Sequence, residues 1–359
     1  MVAPRYGRGG RTALALTLGT LLALIVPTAR AHAAQPFFGV VPQATLEARD
    51  WQRLGRTGLA VRLPVRWYEV EPRRGEFDFA ALDAAMAAAA AHGVKVMPQV
   101  GGSPSWVTAS PERPPLGRSD LAAWRAFLRK LVDRYGSHGE LWRETPAHGS
   151  AVRRWQIWNE PNFPAFWQNP DPRAYVRLLR ASAAAIRGRD PGAVIVAAGL
   201  APIERQPPPW EFLAEMYRQP GARAAFDVVA LHPYAASVAG LEYEVRMTRL
   251  AMSQAGDART PLLISEIGLA SAARVRTPFD RGLRGQARFL TRAFTRLAAQ
   301  RRRWRLAGAY WFAWRDAASA DPICAFCEHS GLLDENGKPK PAWGALKRVL
   351  ARVGAGAVR

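Results

Sequence analysis

Short apolar segments alternate with helical patterns along almost the whole chain, and this alternation constrains the fold more than any other feature. Most of the apolar segments are rich in Val, Ile, Leu and Ala without clean alternation, which is typical of parallel strands buried on both faces. Eight strands are predicted, at residues 37–42, 58–67, 94–101, 154–158, 193–200, 226–232, 261–268 and 306–312.

Helices are predicted between most of these strands and after the last one. Pro172 directly after Asp171 is a favourable helix start, and Ser119 and Asp120 are predicted to cap the N-terminus of another helix. The predicted helices span residues 79–92, 119–135, 172–187, 281–297 and 341–352.

Eight strand–helix repeats over about 320 residues are typical of an α/β protein with the (β/α)8 TIM-barrel fold. A doubly wound open sheet is the alternative, but no Gly-rich phosphate-binding fingerprint follows the first strand. No linker, solenoid repeat or low-complexity segment marks a second domain within the 359 residues. We therefore predict one barrel domain over residues 37–352.

Residues 1–33 are expected to be a secretory signal peptide outside this domain. Residues 1–11 are basic, residues 12–29 are apolar, and residues 31–33 (Ala-His-Ala) have the small-x-small form of a cleavage site. An uncleaved anchor is the alternative, although the threonines, Gly19 and Pro27 favour cleavage. We expect a secreted or cell-envelope-associated protein without membrane contact after cleavage, acting as a monomer.

The chain is strongly basic, with 50 Lys and Arg against 29 Asp and Glu and a formal net charge of +21. An anionic partner, such as an acidic polysaccharide or nucleic acid, would use this charge. An Arg-rich composition on solvated helix faces explains it too, since residues 281–297 place arginines opposite an apolar stripe. Because no nucleic-acid-binding module is recognisable, nucleic acid is not expected as a partner.

The two cysteines, Cys324 and Cys327, are predicted to form a disulfide that closes a tight loop. A redox-active pair would need a thioredoxin-like strand-to-helix setting, which is missing. A zinc site would need four ligands, and only His329 lies close by in sequence. The 6 histidines form no ligand motif, so neither a metal nor another cofactor is expected.

Polar side chains collect at the C-terminal ends of the predicted strands, where the active sites of such barrels lie. Glu160 ends the fourth strand directly before Pro161, and Glu266 lies at the end of the seventh. A glutamate in such a place is poorly explained by packing, because Glu is rarely buried unless it is paired or functional. Further polar residues at strand ends or within these strands are Arg62, Gln99, Asn159, His232 and Tyr234.

Two facing carboxylates predict glycoside hydrolysis. Cleavage with retention needs two carboxyl groups about 5–5.5 Å apart, one to attack the anomeric carbon and one to protonate the leaving oxygen. Strands four and seven of an eight-stranded barrel lie across the lumen from each other. We assign Glu160 as the acid/base and Glu266 as the nucleophile, and we expect the higher pKa at Glu160.

Several segments together resemble clan A of the glycoside hydrolases, most closely family 39 and also the related family 5. They are residues 66–72 with 75–79, 155–162, 231–234, 265–268 and the tryptophans of strand eight. The resemblance covers residues 39–350, and it implies that the Asn-Glu at the end of strand four supplies the acid/base and the strand-seven Glu the nucleophile. Gln99 stands where some relatives place a His, which is a departure from family 5.

The resemblance also implies roles for the neighbours of the two glutamates. Asn159 would bind the sugar 2-hydroxyl, and His232 would help to fix the site. Tyr234 would donate a hydrogen bond to Glu266, and Arg62 would lower the pKa of Glu266 by its opposite charge.

Aromatic residues are expected to bind the sugar rings. Trp311 or Trp314 would form the platform under the cleaved sugar, with Trp311 preferred. Loop aromatics that could stack on further sugars are Trp67, Trp106, Trp167, Phe163, Phe166 and Trp210.

The sequence thus predicts a retaining glycosidase that acts on a polysaccharide or oligosaccharide, possibly an acidic one. A non-catalytic carbohydrate-binding barrel is the alternative. It would keep the aromatic groove but lose one carboxylate or its supporting residues, and this chain retains them all.

Overall fold

The computed structural model describes residues 1–3, 35–145, 150–197, 199–273, 277–318 and 323–356. Almost all of the predicted signal peptide, residues 1–33, lies outside these ranges. Within them, no helix is both long enough and apolar enough to cross a membrane.

Eight parallel strands form the barrel, and all eight predicted strands are confirmed. The order β5-β4-β3-β2-β1-β8-β7-β6 brings β5 and β6 to the two ends of the sheet. Parallel bridges between Val196 and Val228 and between Leu200 and Leu231 join these ends. The strands are β1 (Phe38–Val41), β2 (Ala60–Arg66), β3 (Val96–Gly101), β4 (Arg154–Ile157), β5 (Val194–Ala197), β6 (Val229–Leu231), β7 (Leu262–Ile267) and β8 (Leu306–Phe312).

Helices connect the strands, as expected for this fold. They are α1 (Ala48–Thr57), α2 (Trp67–Val70), α3 (Ala80–Ala91), α4 (Arg118–Tyr135), α5 (Glu140–Glu144), α6 (Pro172–Arg187), α7 (Pro209–Tyr217), α8 (Val238–Gln254), α9 (Gly282–Ala299) and α10 (Pro341–Gly356). At the start of α6, Asp171 accepts a hydrogen bond from the backbone of Arg173, as a helix cap does. The predicted cap of α4 is wrong, because the helix already begins at Arg118 after Gly117.

Apolar side chains pack on both faces of the sheet, which explains why the strands lack simple alternation. The larger layer lies between the strands and the helices and contains most of the buried tryptophans. The smaller cluster fills the lumen and comprises Val41, Ala60, Met97, Val196, Val228, Ala230, Leu263 and Tyr310. Side chains therefore fill the lumen below the C-terminal ends of the strands.

The loop after β8 carries the predicted disulfide, and the bond between Cys324 and Cys327 is formed. Gln43, which follows β1, donates a hydrogen bond to the carbonyl oxygen of Cys327 at 2.9 Å. The buried Lys340 donates to Asp316 at 2.8 Å and to the His329 carbonyl at 3.0 Å. These contacts fasten the loop to the barrel mouth.

Candidate active site

Glu160 and Glu266 lie together at the C-terminal mouth of the barrel, and both are buried. One carboxylate oxygen of each and one ring nitrogen of His232 lie within 4.8 Å of one another. Retaining glycosidases hold their carboxyl groups about 5–5.5 Å apart, whereas inverting ones hold them about 6.5–9.5 Å apart. The distance between the nearest oxygens is closer to the shorter of these two separations.

The backbone turns sharply after β4, and this turn aims Glu160 at the lumen. Trp158 has φ 66° and Glu160 has φ 41°, a left-handed conformation that residues with side chains seldom adopt. The Trp158 indole donates to the Phe166 carbonyl at 2.7 Å, and its backbone amide donates to Val100 at 2.7 Å. Such conformations persist only where the surroundings hold them, and they concentrate at functional sites.

Both carboxylate oxygens of Glu266 accept hydrogen bonds. Arg62 donates to Oε1 at 2.5 Å, and the Tyr234 hydroxyl donates to Oε2 at 2.8 Å. Arg62 is 2% exposed, so this ion pair is shielded from water. The side chain of Glu266 is therefore fixed in one orientation with an opposite charge beside it.

Arg62 also organises the end of β4. Its guanidinium donates to Oε1 of Gln156 at 2.7 Å and to Oδ1 of Asn159 at 2.7 Å. Because the Asn159 oxygen accepts from Arg62, the Nδ2 group is the part of this half-buried side chain that can donate to a ligand. Gln156 was not predicted as a site residue, although a glutamine in the middle of an apolar strand was a usable signal.

His232 is fully buried, and its Nδ1 shares a hydrogen bond of 2.6 Å with Oε1 of Glu160. The same nitrogen lies 3.7 Å from Oε2 of Glu266. The other edge of the ring packs against Gly199, where an added Cβ atom would lie 1.9 Å from Nε2. A residue larger than glycine at this position would thus displace the imidazole from Glu160.

The two glutamates differ in their electrostatic surroundings. Burial and then the charge of Glu266 raise the pKa of Glu160 well above its ordinary value, although the charge of Arg62 acts in the opposite direction. Burial also raises the pKa of Glu266, but the charge of Arg62 and hydrogen bonds from Tyr234 and Arg62 oppose that rise. The proton held by the pair therefore resides on Glu160.

The neighbouring groups remain uncharged near neutral pH. Burial, together with the nearby charge of Arg62, lowers the pKa of His232 well below its ordinary value. Burial and the charges of the two glutamates raise the pKa of Tyr234, so its hydroxyl stays protonated and able to donate. His232 and Tyr234 are thus neutral partners of the two glutamates.

Glu160, His232 and Glu266 could also supply ligand atoms to a metal ion. The guanidinium of Arg62 already occupies Oε1 of Glu266 at 2.5 Å and would repel a cation placed there. The ion pair between Arg62 and Glu266 therefore agrees better with acid–base chemistry at this pair of glutamates than with a metal centre.

Neither tryptophan that was predicted as the sugar platform can serve as one. Trp311 is fully buried in the layer between the strands and the helices, where it packs against Phe294 and donates a hydrogen bond to the Ser330 carbonyl at 3.0 Å. Trp314 is fully buried against Trp343 of α10. The prediction for Trp311 was wrong because alternate residues of β8 face the lumen and Trp311 lies on the opposite face. Trp314 lies beyond the end of β8, where the chain packs it against α10.

Phe312 is the aromatic residue that this register presents to the mouth. It is partly exposed, packs on the lumen cluster and lies 6.4 Å from the ring of Tyr234. Phe312 was not predicted as a site residue, because the sequence does not show which of the neighbouring aromatic residues of β8 faces the lumen.

Two of the loop tryptophans are also packed rather than free to stack on sugars. Trp67 is fully buried and donates to Glu71 at 2.7 Å. Trp167 is fully buried against Trp158. Trp106 keeps part of its ring accessible, as do Phe163, Phe166 and Trp210.

Two cavities lie over the loops that follow β3 and β4. One of about 320 Å³ is lined by Tyr68, Ser103 and Ser105 among others. A larger one of about 920 Å³ is lined by Arg113, Asp120 and Asn169 among others. Neither cavity is lined by Glu160 or Glu266.

The family model Glyco_hydro_42, described as beta-galactosidase, matches residues 47–168. This range includes β2, β3, β4 and Glu160, and it ends before Glu266. No curated protein matches the chain significantly.

Solved structures of glycoside hydrolases share the fold of the chain. A family 39 enzyme from Bacteroides cellulosilyticus WH2 is 18% identical with a TM-score of 0.65, covering 88% of this chain and 63% of its own. A monomeric beta-xylosidase from Caulobacter crescentus CB15 is 20% identical with a TM-score of 0.62, covering 89% and 70%. A GH5_18 variant from Streptomyces cattleya, in complex with Manb1-4GlcNAc, is 19% identical with a TM-score of 0.66, covering 88% and 80%. The chain thus spans less than two thirds of the Bacteroides enzyme.

Proposed function

We propose that this chain is a clan A glycoside hydrolase that cleaves O-glycosidic bonds with retention by a two-glutamate double displacement. The spacing of the two carboxyl groups carries the proposal. With oxygens within 4.8 Å of each other, they leave no room for the water that an inverting enzyme places between carboxylate and sugar.

In the first step, a carboxylate oxygen of Glu266 attacks the anomeric carbon, and the bond from that carbon to the leaving oxygen breaks. Glu160 gives its proton to the leaving oxygen, which departs as an alcohol. The raised pKa of Glu160 suits this task because the proton is present before the reaction starts. The products of the step are a glycosyl ester on Glu266 and an ionised Glu160.

In the second step, the ionised Glu160 removes a proton from water, and the water oxygen attacks the anomeric carbon. The ester bond to Glu266 breaks, and both glutamates return to their starting protonation states. Two inversions at the same carbon give net retention.

The surrounding residues prepare these steps. Arg62 and Tyr234 hold Glu266 as a carboxylate in a fixed orientation, which favours attack. The Nδ2 group of Asn159 is placed to donate to the sugar 2-hydroxyl, and Phe312 offers a ring surface beneath the sugar. Neutral His232 fixes the carboxyl group of Glu160 without competing for its proton.

We further propose a carbohydrate polymer or oligomer as substrate and an extracellular or cell-envelope location. The cavities at the loops that follow β3 and β4 support binding of sugars beyond the cleaved bond. The signal-like pattern of residues 1–33 and the disulfide between Cys324 and Cys327 support export. The Arg-rich charge leaves both neutral and acidic polysaccharides open as substrates.

The proposal is tested with the protein lacking residues 1–33. Aryl β-D-glycosides of galactose, xylose, glucose and mannose follow from the names of the similar proteins, and neutral and acidic polysaccharides extend the panel. Release of the aryl alcohol or of reducing ends from at least one substrate is expected. Binding of sugars without any release would instead favour a non-catalytic carbohydrate-binding barrel.

A further inference from the structure

We propose that Phe326, carried by the loop that Cys324 and Cys327 close, is a positioning residue for the nucleophile. The ring of Phe326 supports Tyr234, which keeps its hydroxyl on Glu266. This inference rests on the proposed function. It extends the proposed active site to the loop after β8, which is distant from both glutamates in sequence.

Tyr234 is held between two aromatic side chains. The ring of Phe326 lies 5.6 Å from that of Tyr234 in an edge arrangement, and the ring of Phe312 lies 6.4 Å away. Phe326 is itself stacked on Phe279 at 4.6 Å with an interplanar angle of 17°. Because the hydroxyl extends from the end of the ring, a tilt of the Tyr234 ring moves it away from Glu266.

The loop that carries Phe326 is fixed on both sides of this residue. The disulfide joins the residues two positions before and one position after it. The Ser330 hydroxyl donates to the Phe326 carbonyl at 2.9 Å, and Gln43 donates to the Cys327 carbonyl at 2.9 Å. A short cross-linked loop with these anchors presents the ring at a defined place, which a free loop of this length would not do.

The hydroxyl of Tyr234 lowers the pKa of the nucleophile Glu266. Its hydrogen bond is among the interactions that oppose the rise of the Glu266 pKa caused by burial. If the support from Phe326 is lost, the bond weakens and the pKa of Glu266 rises further. Since Glu266 must be ionised to attack, the acid limb of kcat/KM then moves to higher pH.

The test compares Phe326→Ala with the wild type on the aryl glycoside that the wild type hydrolyses fastest. We expect kcat to fall about tenfold, within the loss that a small misplacement of a reacting group causes. We also expect little change in KM and an acid limb shifted to higher pH. Phe326→Tyr keeps the ring and should therefore retain most of the wild-type rate. The double variant Cys324→Ser/Cys327→Ser should lose about as much rate as Phe326→Ala. Ala325→Ser, at an exposed position of the same loop, serves as the matched control.

The Tyr234→Phe background separates positioning from a general structural effect. If Phe326 acts through Tyr234, adding Phe326→Ala to Tyr234→Phe lowers kcat little further, because the hydroxyl is already absent. Full additivity, a change confined to KM, or an unshifted acid limb would each overturn the inference while the proposed function stands. A wild type that hydrolyses no glycoside would remove the proposed function itself.

Discussion

Glu266→Ala is expected to abolish turnover, with a loss of roughly 10⁴-fold or more in kcat, as is seen when a catalytic nucleophile is removed. Without this carboxylate no group is in place to attack the anomeric carbon, and Glu160 alone can only donate a proton. Steady-state rates on the best aryl glycoside measure the effect, and sugar binding by calorimetry is expected to persist.

The matched control is Glu266→Gln, which keeps the shape of the side chain beside Arg62. Removing the buried partner of Arg62 altogether costs about 3–5 kcal/mol of folding free energy, so thermal unfolding must be measured for both variants.

Azide can enter the space left by the alanine and attack the anomeric carbon, giving a glycosyl azide of inverted configuration. A folded Glu266→Ala variant with a wild-type rate would show that Glu266 is not the nucleophile.

Glu160→Ala is expected to have the second-largest effect, and its size depends on the leaving group. General acid catalysis contributes about 10²–10⁴-fold, so cleavage of natural linkages slows by this factor. Aryl glycosides with acidic leaving groups need no proton and should form the glycosyl ester almost normally. Rates across a series of aryl leaving groups of increasing pKa measure this dependence.

The pH profile gives a second readout for Glu160. The wild type loses activity at high pH as Glu160 ionises, and because its pKa is raised, that limb lies well above the ordinary range of a glutamate. Glu160→Ala should lose this alkaline limb on activated substrates and keep the acid limb due to Glu266. Unchanged rates on every substrate would show that the acid/base is another residue.

The sequence predicted the barrel well because its strands are buried on both faces and are separated by amphipathic helices. It also predicted which side chains meet at the mouth, since the C-terminal ends of parallel strands converge there. Asn159, His232 and Tyr234 lie at this mouth for this reason, and Arg62 reaches Glu266 and Asn159 from within β2.

The aromatic residues were predicted poorly because strand register is not visible in the sequence. A shift by one residue moves a side chain from the lumen to the helical layer. Trp311 therefore packs against Phe294, while its neighbour Phe312 faces the mouth.

Contacts between segments distant in sequence were missed for another reason. Nothing local to Gly199 indicates that the ring of His232 will lie against it, and nothing local to Phe326 indicates that it will meet Tyr234. Closure of the barrel brings Gly199 to His232, and the loop after β8 brings Phe326 to Tyr234. The sequence around each residue does not indicate these contacts.

The anomeric configuration of the first product tests the central claim most directly. Proton NMR follows the hydrolysis of the best aryl β-glycoside by the wild type before mutarotation equilibrates the two anomers. Two carboxyl groups with oxygens within 4.8 Å predict that the β-anomer appears first. Initial appearance of the α-anomer would mean a single displacement by water and would contradict the assignment of Glu266 as a nucleophile.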